Sequence, residues 1–571
     1  MQTIWEVQTH KETPAEGEVR REQPAESPED DFLISPLAKQ LLALRSVQGA
    51  ENINRFLLPA LKQLHDPFLM HGMKKAVTRI LTAIDRGELI MIHGDYDVDG
   101  VTGAALLSRT LEKLKAKHYA FLPNRFKDGY GVSAQAIETA KSKGVSLMIT
   151  VDCGITAVDQ VARAREHKMD VIILDHHQIH NGNLPDAYAI LNPLQEACRY
   201  PFKELSACGL AFKLSQALIG NFAFSLLDLA ALSSVCDVAP LVDENRIIVK
   251  FGLDLISAKK NIGLAKLSAI AKLKSKKANT SHIGFVFGPR INASGRMSSA
   301  DTALRLLVTN HEKEAESLAQ ILDEENKTRQ REDKEVLKQA IRQVDNKINF
   351  NNEQIIVVWQ EGWHPGVIGI VAQRLVERYG RPSFVIDLEN GIGKGSARSV
   401  RGFNLFRALQ ECHQDLIEFG GHELAAGFSV SREKLESFRK NLNAYAASFA
   451  RETFVKRFRV DLAISFDQLT SAFFRELELF EPFGAGNPKP TFLTTRVRSK
   501  IAPVQASSTT IRWWVTDGTS TFEAVWTQRQ GIEKFPPDGG VLYDIVYSPS
   551  LRDKDGIETV LLEIKDLKIE M

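Results

Sequence analysis

Three aspartates and one histidine stand at alternate positions in a short segment of the sequence, and their side chains are common ligands of divalent metal ions. They are His93, Asp95, Asp97 and Asp99, and a glycine, Gly100, ends the segment. Carboxylates packed this closely repel one another strongly unless a cation lies between them. The spacing therefore predicts a metal-binding loop.

Two other interpretations of this segment are an EF-hand calcium loop and a solvated acidic turn. An EF-hand needs a bidentate glutamate at its twelfth position, but counted from Asp95 that position is Leu106. Residues 89–92, before the segment, are apolar and strand-like rather than helical, so the EF-hand is excluded on both counts. A solvated turn stays as the simpler alternative, although turns rarely follow such a run with a histidine at its edge.

The sequence around the metal-binding loop is typical of a parallel β-sheet with crossover helices. Between residues 89 and 191, short apolar runs alternate with stretches of helical periodicity. Five of these runs are predicted strands, namely Leu89–Ile92, Tyr119–Leu122, Leu147–Val151, Val171–Leu174 and Ala189–Leu191. Ligands of such sheets bind at the carboxyl ends of the strands, so we expect the loop to lie at that edge.

Further carboxylates and imidazoles follow three other apolar runs. Asp152 ends the third predicted strand, and Asp237 follows a largely apolar stretch. The fourth predicted strand ends in Asp175, His176 and His177. One such residue alone is more often structural, but their coincidence at one edge predicts a shared site. A carboxylate-rich set with some histidine favours manganese or magnesium over zinc or copper.

Length and composition limit the classes of protein that fit. A chain of 571 residues is too long for one core and predicts about three to four domains. No apolar run approaches the ~20 residues of a membrane span, and the chain begins without a signal-peptide pattern. The five cysteines are odd in number and form no C-x-x-C pair, so we expect no disulfide framework and a cytoplasmic location.

Charge is unevenly distributed, although the net formal charge is only +1. Residues 1–31 carry nine acidic and three basic groups, and their composition predicts a disordered tail. Between Lys259 and Lys277 there are seven lysines and no acidic residue. A solvated helix face and a surface for phosphate groups explain that run equally well.

The remaining sequence divides into domains by its periodicity. Residues 303–346 are highly charged and contain no glycine or proline, which predicts one long connecting helix. Strand-like runs and helices recur after it, and the C-terminal part alternates in the manner of an all-β barrel of the OB type. The predicted division is an acidic tail (1–35), a parallel-sheet domain (36–302), the connecting helix (303–346), a second α/β domain (347–454) and the barrel (455–571).

Aromatic and cationic residues are mixed in the predicted barrel. OB-type barrels bind single-stranded nucleic acid by stacking bases on aromatic side chains. For any single aromatic residue, packing inside the barrel is the more frequent role. The residues concerned are Arg512, Trp513, Trp514, Trp526, Arg529, Tyr543 and Tyr547.

In their order along the chain, these motifs resemble those of the DHH phosphoesterase superfamily. The pattern combines His-x-x-x-Asp-x-Asp, Asp-x-Gly, Asp-His-His and a later aspartate, and residues 420–427 resemble the DHHA1 domain. Within the superfamily, residues 40–571 are most similar to the RecJ-type single-strand-specific exonucleases, through residues 287–296, 362–369 and 481–488. The ordered set is far more specific than any one of its motifs.

The resemblance implies a catalytic centre with two manganese or magnesium ions. The ligands would be His93, Asp97 and Asp152 for one ion, and Asp99, Asp152, His176 and Asp237 for the other, with Asp152 bridging. Asp95 and Asp175 would orient these ligands through hydrogen bonds. His177 would contact a phosphate oxygen of the substrate.

The resemblance also implies which residues meet the substrate. A basic pocket for a 5′ phosphate would contain Arg125, Ser396 and Arg398, because several donors can converge on a phosphate monoester. The strand would pass along residues near the metals, namely Arg290, Asn292, Arg296 and His422. Ion pairs between domains are the structural alternative for these arginines.

The activity implied is 5′-to-3′ hydrolysis of single-stranded DNA to mononucleotides, in DNA repair and recombination. The resemblance further implies a monomer without membrane contacts that works beside helicases and single-strand-binding protein. A phosphodiesterase of short oligonucleotides or cyclic dinucleotides is an alternative, but such proteins lack the barrel. A manganese pyrophosphatase would have a different second domain. A non-catalytic single-strand-binding replication subunit would have lost metal ligands that are all present here.

Overall fold

The chain forms two compact units, each built from separate stretches of sequence. The computed structural model describes residues 3–8, 34–124, 131–179, 183–507, 509–527, 540–554 and 557–569. The first unit contains residues 22–327 and 475–489, and the second contains residues 1–21, 328–474 and 490–571. The first strand of the chain, β1 (Ile4–Val7), belongs to the second unit.

A five-stranded parallel sheet forms the centre of the first unit. Its strands are β2 (Leu89–Gly94), β3 (His118–Phe121), β4 (Val145–Val151), β5 (Asp170–Leu174) and β6 (Ala189–Leu191). They lie in the order β3-β2-β4-β5-β6, and every pair is parallel. These are the five strands predicted from the apolar runs. The prediction is confirmed because strands buried on both faces of a sheet are apolar at nearly every position.

Helices cover both faces of this sheet. Ile90 and Ile92 belong to one apolar core, and the intervening Met91 belongs to another. The helices that begin or lie within the first unit are α1 (Pro36–Ala43), α2 (Ala50–Leu57), α3 (Met73–Asp85), α4 (Val98–Lys113), α5 (Ala134–Ser142), α6 (Val158–Glu166), α7 (Ala207–Ile219), α8 (Leu227–Cys236), α9 (Asp243–Ser257), α10 (Ile262–Ile270), α11 (Thr280–His282), α12 (Gly288–Met297), α13 (Asp301–Val308) and α14 (Glu312–Lys347). A π-helical turn (Ile283–Phe287) precedes α12.

The stretch Ala207–Cys236, which contains α7 and α8, is long and apolar enough to cross a membrane by length and composition alone. The prediction that no apolar run reaches this length overlooked it, because Lys213 and Asp228 interrupt the apolar residues. In the structure, 56% of its most apolar window is buried inside the protein. This burial is what the core helices of a sheet protein require, so the stretch is weak support for a membrane span.

The connecting helix predicted over residues 303–346 is two helices. Between the end of α13 and the start of α14, the backbone of Thr309 is extended. The Thr309 hydroxyl donates to Glu314 Oε2 at 2.7 Å and accepts from the His311 backbone N–H at 3.2 Å. A threonine that bonds to nearby groups in this way competes with the helical hydrogen bonds. The long helix is therefore α14, with 36 residues.

A second five-stranded sheet lies in the second unit, and it confirms the predicted second α/β domain. Its strands are β7 (Ile356–Glu361), β8 (Ser383–Glu389), β9 (Ile392–Arg398), β10 (Leu416–Gly421) and β11 (Ala425–Ser431). They lie in the order β10-β11-β9-β8-β7, in which β7 and β8 are parallel and the other pairs antiparallel. The helices of this part are α15 (Ile368–Tyr379), α16 (Leu405–Glu411) and α17 (Leu435–Ala446).

The C-terminal part of the second unit is an all-β barrel, as the sequence predicts, and its sheet is closed. Two short strands, β12 (Arg457–Val460) and β13 (Leu462–Ala463), and the helix α18 (Ser471–Leu479) come first in the chain. The barrel strands follow, and they are β14 (Phe492–Ser507), β15 (Thr510–Thr516), β16 (Thr521–Thr527), β17 (Tyr543–Lys554) and β18 (Ile557–Ile569). The sheet runs β14-β15-β16-β18-β17, and β17 pairs with β14 to close it. Three register shifts in the pairing of β14 with β15, and one in its pairing with β17, let this strand curve between its two neighbours.

Most of the aromatic residues that the sequence singles out in the barrel are packed inside it. The buried ones are Trp513, Trp526, Tyr543 and Tyr547. Trp513 Nε1 donates to Tyr543 Oη at 3.0 Å, so the polar ends of two of these side chains satisfy each other. Trp514 is 44% exposed, and Arg529 lies outside the described residues. Packing therefore explains these aromatics except Trp514.

The start of the acidic tail is a strand. β1 pairs in parallel with β12. Trp5 Nε1 donates to Asp566 Oδ2 at 2.9 Å, and Lys568 Nζ lies 4.2 Å from the centroid of the Trp5 ring. The prediction of a disordered tail is therefore wrong for residues 4–7, whose partners lie near the other end of the sequence. Residues 9–33 lie outside the described part of the chain.

Segment 475–489 belongs to the first unit, although the residues on both sides of it belong to the second. It is held by the buried Arg246, whose guanidinium donates to four carbonyl oxygens at 2.8–2.9 Å, those of Phe56, Leu479, Phe480 and Glu481. Burial lowers the pKa of Arg246 to about 9. The rings of Phe56 and Phe480 also pack edge to face, with centroids 5.8 Å apart.

Candidate metal centre

The metal-binding loop is tightly folded between β2 and α4. Asp97 immediately precedes α4 and caps it, because its Oδ1 accepts from the backbone N–H groups of Asp99 at 2.9 Å and Gly100 at 3.1 Å. Gly100 lies against the backbone of Asp95, where an added Cβ would be only 2.3 Å from the Asp95 nitrogen. Only glycine fits this close approach, which explains its place at the end of the motif.

Asp99 is oriented by the beginning of α7. Its Oδ2 accepts from the Ala207 N–H at 2.8 Å, and its Oδ1 accepts from the Cys208 N–H at 2.7 Å. The Ser233 hydroxyl, on α8, donates to the same Oδ1 at 2.6 Å. Backbone N–H groups at the start of a helix stabilise a carboxylate. These three donors therefore hold the Asp99 carboxylate in one orientation, and only 2% of Asp99 is exposed.

Asp152 follows β4 in a conformation that is uncommon for residues other than glycine. Its φ is +64°, and its N–H donates to the Leu174 carbonyl at 3.0 Å. Such a backbone persists only where the surrounding structure fixes it. The result is that the buried Asp152 carboxylate lies 3.3 Å from His176 Nε2.

His176 brings together the carboxylates of three different elements. Its Nε2 lies 3.3 Å from Asp152 Oδ1 and 3.8 Å from Asp99 Oδ2. Its Nδ1 lies 3.7 Å from Oδ2 of Asp237, the residue that ends α8. The strand ends and the end of α8 therefore meet at one point, as the sequence predicts for the carboxyl edge of the sheet.

His177 is oriented by Asp175. Its Nδ1 lies 2.7 Å from Asp175 Oδ1, which also accepts from the His177 backbone N–H at 3.0 Å. The other oxygen of Asp175 accepts from the Ile155 N–H at 2.9 Å. The hydrogen bond that His177 donates to Asp175 raises the pKa of His177, although burial lowers it. Burial alone would raise the pKa of Asp175, but the hydrogen bonds that His177 donates outweigh this effect, and the pKa of Asp175 is lowered.

The other carboxylates of the centre repel one another. Burial, and then the charges of Asp97 and Asp99, raise the pKa of Asp152 well above its usual range. Burial and Asp99 also raise the pKa of Asp97. The pKa of Asp237 rises to about 8 through burial and then the charges of Asp99 and Asp97. A divalent cation among these groups would remove the cost of ionising all of them.

The donor atoms fit such cations. Three groups of residues each bring their ligand atoms within 4.8 Å of one another, namely Asp95, Asp97 and Asp152; Asp99, His176 and Asp237; and Asp152, His176 and His177. Oxygen donors dominate, and the nitrogen donors are imidazoles. This chemistry suits manganese and magnesium.

The structure brings the four predicted ligands of one ion together, and it adds Asp95 to two of the predicted ligands of the other ion. Asp99, Asp152, His176 and Asp237 converge around the His176 ring, as the sequence predicts. Asp97 and Asp152 also lie together, joined by Asp95, which the resemblance placed behind the ligands. His93 is fully buried, and its Nδ1 lies 3.6 Å from the Cys153 sulfur. Its role as a ligand stays a prediction.

Helix α12 lies directly on the metal centre. A Cβ at Gly288 would be 2.5 Å from Cys236 Sγ, and one at Gly295 would be 2.4 Å from the Tyr96 carbonyl oxygen. Asn292 lies between these glycines on the same helix face, because residues four and seven positions apart share a face. Asn292 therefore lies on the face of α12 that packs against Cys236 and Tyr96, and its contact with the substrate stays a prediction.

The two arginines of α12 that were predicted to line the substrate path differ in their contacts. Arg290 lies in an ion pair, with its Nε 2.9 Å and its Nη2 2.8 Å from Asp323 Oδ1, and its Nη1 donates to the Val286 carbonyl. Both residues belong to the first unit, so this is an ion pair within one unit and not the pair between domains that was weighed as the alternative. Arg296 lies one turn beyond Asn292 and is half-buried. Arg125 lies outside the described residues.

The predicted residues of the second unit share a strand. Ser396 and Arg398 alternate on β9, and Arg398 Nη1 lies 3.3 Å from Ser396 Oγ. A Cβ at Gly369, in the first turn of α15, would be 3.0 Å from Ser396 Oγ and 3.3 Å from Arg398 Nη2. A hydroxyl, a guanidinium and a helix N-terminus thus meet, which is a favourable combination for an anion. His422 is exposed, and its N–H donates to the Ala425 carbonyl.

Sequence reasoning missed the residues that hold the ligands in place. Ser206 caps α7, and its Oγ lies 2.6 Å from the Ser233 hydroxyl that bonds to Asp99. A serine before an apolar helix signals a cap. Its nearness to Asp99 depends on the packing of α7 and α8 against α4, for which the sequence carries no signal.

Comparisons with known families match three parts of the chain. The DHH family, N-terminal domain, matches residues 89–233, the DHHA1 domain matches residues 352–448, and the RecJ OB domain matches residues 460–566. These regions correspond to the parallel sheet, the second sheet and the barrel.

The relatives and the solved structures that the chain resembles include several RecJ proteins. The chain is 40% identical over 540 residues to the single-stranded-DNA-specific exonuclease RecJ of Bacillus subtilis (strain 168), covering 94% of this chain and 68% of that protein. It is 35% identical over 440 residues to the protein of the same description from Haemophilus influenzae, covering 73% of this chain and 76% of the relative. The crystal structure of RecJ in complex with Mn²⁺ from Thermus thermophilus matches with a TM-score of 0.79 at 29% identity, covering 94% of this chain and 76% of the other. The Mg²⁺ complex from the same source matches with a TM-score of 0.75 at 28% identity, covering 94% and 75%.

Proposed function

Because the chain belongs to the RecJ family of single-stranded-DNA-specific exonucleases, we propose that it hydrolyses single-stranded DNA at a centre of two Mn²⁺ or Mg²⁺ ions. The observation that carries this proposal is the convergence of buried carboxylates and imidazoles at the carboxyl edge of the parallel sheet. Burial and the charges of neighbouring carboxylates raise the pKa of Asp152 and Asp237, so the centre is complementary to positive charge.

Two overlapping ligand sets would hold the ions. We assign His93, Asp97 and Asp152 to one ion, and Asp99, Asp152, His176 and Asp237 to the other. The position of Asp95 beside Asp97 and Asp152 supports a further contact, direct or through water, to the first ion. When bound, the two ions lower the pKa of water and withdraw charge from the phosphoryl oxygens.

The residues around the ligands keep the centre rigid. Three donors fix Asp99, and the unusual backbone of Asp152 fixes its carboxylate between the two sets. A ligand that does not reorient during the reaction costs no reorganisation energy. Pre-arranged ligands therefore favour the transition state over the resting state.

His177 is suited to bind the scissile phosphate. Asp175 bonds to its Nδ1, so a contact with the substrate would be made by Nε2. A donor at this position would stabilise the charge that develops on a phosphoryl oxygen. Asn292 and Arg296, on the α12 face next to the centre, would bind the strand as it arrives.

The finer aspects of the function rest on the family resemblance. We infer degradation from the 5′ end to mononucleotides, with Arg125, Ser396 and Arg398 binding a 5′ phosphate, and with Arg290 and His422 along the path. We also infer a monomeric, cytoplasmic enzyme of DNA repair and recombination that works with helicases and single-strand-binding protein. The meeting of Ser396, Arg398 and the start of α15 supports the assignment of the phosphate pocket.

A degradation assay tests the proposal. With Mn²⁺, we expect a 5′-phosphorylated single strand to be shortened from that end with release of mononucleotides. Asp152→Ala should abolish this activity, because it removes the shared carboxylate. Asp159→Ala, an exposed aspartate of α6, is the matched control and should leave the rate unchanged. Equal rates on duplex and single strands, or full activity of Asp152→Ala, would contradict the proposal.

A further inference from the structure

An exposed group of lysines lies at the ends of α9 and α10. Of the seven lysines in residues 259–277, Lys266 pairs with Glu312 at 3.2 Å and Glu316 at 4.0 Å. The other six are exposed and form no ion pair within the described part of the chain, and they are Lys259, Lys260, Lys272, Lys274, Lys276 and Lys277. These six, which we call the lysine patch, leave a concentrated positive charge facing solvent.

Two exposed apolar side chains lie next to the metal centre. Phe285 is 74% exposed and Val238 is 70% exposed, the highest values for large apolar residues among those described. Val238 directly follows Asp237 and has a φ of +59°, which is a rare conformation for a β-branched residue. Phe285 lies in the π-helical turn just before Gly288, which contacts Cys236. Both side chains therefore lie near the end of α8 that carries Asp237.

The chain segment that follows the lysine patch contains Phe285, one of these two apolar residues. After Lys277, the chain enters α11 and then the π-helical turn. The path is fixed at two points, because the Ala278 N–H donates to Ser257 Oγ at 2.9 Å and the Thr280 hydroxyl donates to the Phe483 carbonyl at 2.8 Å. The lysines and an exposed aromatic ring thus follow one another on one ordered path, which reaches Cys236, the neighbour of Asp237, at Gly288. π-Helical turns are frequent at functional sites.

We propose that the lysine patch and Phe285 form an accessory contact for the single-stranded DNA, outside the metal centre. The lysines bind phosphates of the strand, and a base stacks on Phe285. This inference rests on the proposed function and adds a part of the protein that binds the same substrate. Positive charge alone suits any polyanion, but an exposed aromatic ring beside it suits a strand with unpaired bases.

Glycine substitutions test the lysines without threatening the fold. Lys259 and Lys272 each have a φ of +54° in the turn that ends a helix, a conformation that glycine adopts more easily. The control pair is Lys115→Gly with Lys168→Gly, which have φ values of +56° and +58°. These two exposed lysines precede β3 and β5, at the amino edge of the sheet away from the metal centre.

Binding of a fluorescent single strand of about 30 nucleotides is followed by anisotropy in EDTA, so that no hydrolysis occurs. For the Lys259→Gly, Lys272→Gly variant, the slope of log K against log salt should become shallower by about 1.4, from about 0.7 per phosphate contact. The control pair should keep the wild-type slope. An unchanged slope in the patch variant, or an equal change in the control pair, would overturn the proposal.

Phe285→Ala should weaken binding by about fivefold or more, the loss of one base stack, whereas Phe285→Trp should keep the affinity. Phe222→Ala is the control, since Phe222 is 44% exposed beyond the end of α7 opposite to Asp99. Wild-type affinity of Phe285→Ala would contradict the stacking contact. A stronger response of the patch variant toward poly-glutamate than toward DNA would assign the lysines to an acidic protein instead.

The two proposals fail in different ways. A wild-type protein that binds the strand with patch-dependent salt sensitivity, but does not cut it with Mn²⁺, would contradict the proposed function and leave this inference standing. A wild-type protein that cuts, with patch variants that bind as it does, would contradict this inference alone.

Discussion

Replacing Ser233 by alanine tests how the hydrogen bonds behind Asp99 set the affinity of the metal centre. The Ser233 hydroxyl is fully buried and donates to Asp99 Oδ1 at 2.6 Å. A hydrogen bond to a charged group contributes about 1.5–3 kcal/mol. The two backbone donors of Asp99 remain in the variant, so the carboxylate stays in place but is held less firmly. We expect Mn²⁺ to bind about 10- to 100-fold more weakly, the usual loss when the partner of a ligand is removed.

Direct titration of Mn²⁺, followed by the electron paramagnetic resonance of the unbound ion, measures this affinity independently of activity. The rate of degradation should fall at low Mn²⁺ and recover at high Mn²⁺. Ser234→Ala is the matched control, because Ser234 is equally buried but donates to the Ala230 carbonyl at 2.8 Å. A Ser233→Ala variant that binds Mn²⁺ like the wild type, or a Ser234→Ala variant that loses as much, would refute this account of Asp99.

Other predictions concern the packing and charges around the centre. Gly295→Ala should lower activity and thermal stability because its Cβ would meet the Tyr96 carbonyl at 2.4 Å, whereas Gly284→Ala, with nothing within 4 Å, should not; equal melting temperatures would contradict this. Burial raises the pKa of Asp228 from 3.8 to about 6, so the protonated acid favours the folded state below pH 4 and this contribution is lost as the pH rises through 6. Asp228→Asn should therefore raise the free energy of unfolding at pH 8 by up to about 3 kcal/mol, but little at pH 4, which denaturation at both pH values measures. Arg246→Met should lower the free energy of unfolding by at least about 3 kcal/mol, because the carbonyls of Phe56, Leu479 and Glu481 lose the guanidinium donor and that of Phe480 keeps only Asn487. A loss below ~1 kcal/mol, the typical cost of a single substitution, would argue against this account.

The parallel sheet could be predicted because its signal is local. Each strand is a short apolar run, and the polar residues that end β2, β4 and β5 must share an edge once the strands are parallel. This reasoning placed Asp97, Asp152 and His176 together without any knowledge of the packing. The residues that hold these ligands from distant parts of the sequence could not be predicted, because no local sequence pattern indicates them.

Three features for which the sequence carries no signal have the same physical origin. The strand β1 depends on β12, which lies near the far end of the chain. The break between α13 and α14 depends on bonds of the Thr309 hydroxyl, in a stretch whose composition favours an unbroken helix. The contact of His93 with Cys153 depends on how β2 and β4 sit side by side. Composition and periodicity describe neighbours in sequence, and each of these features is set by a neighbour in space.

Segment 475–489 has a consequence for the synthesis of the protein on the ribosome. The first unit includes residues up to 327, and its last part is made about 160 residues later. At ~5–20 residues per second, this delay is roughly 8–30 s. During it, Phe56 has no Phe480 to pack against, and the Arg246 guanidinium has no carbonyls of residues 479–481 to bind. The nascent first unit therefore stays incomplete until a segment is translated after most of the second unit. Any fragment that stops before residue 479 carries the same defect permanently.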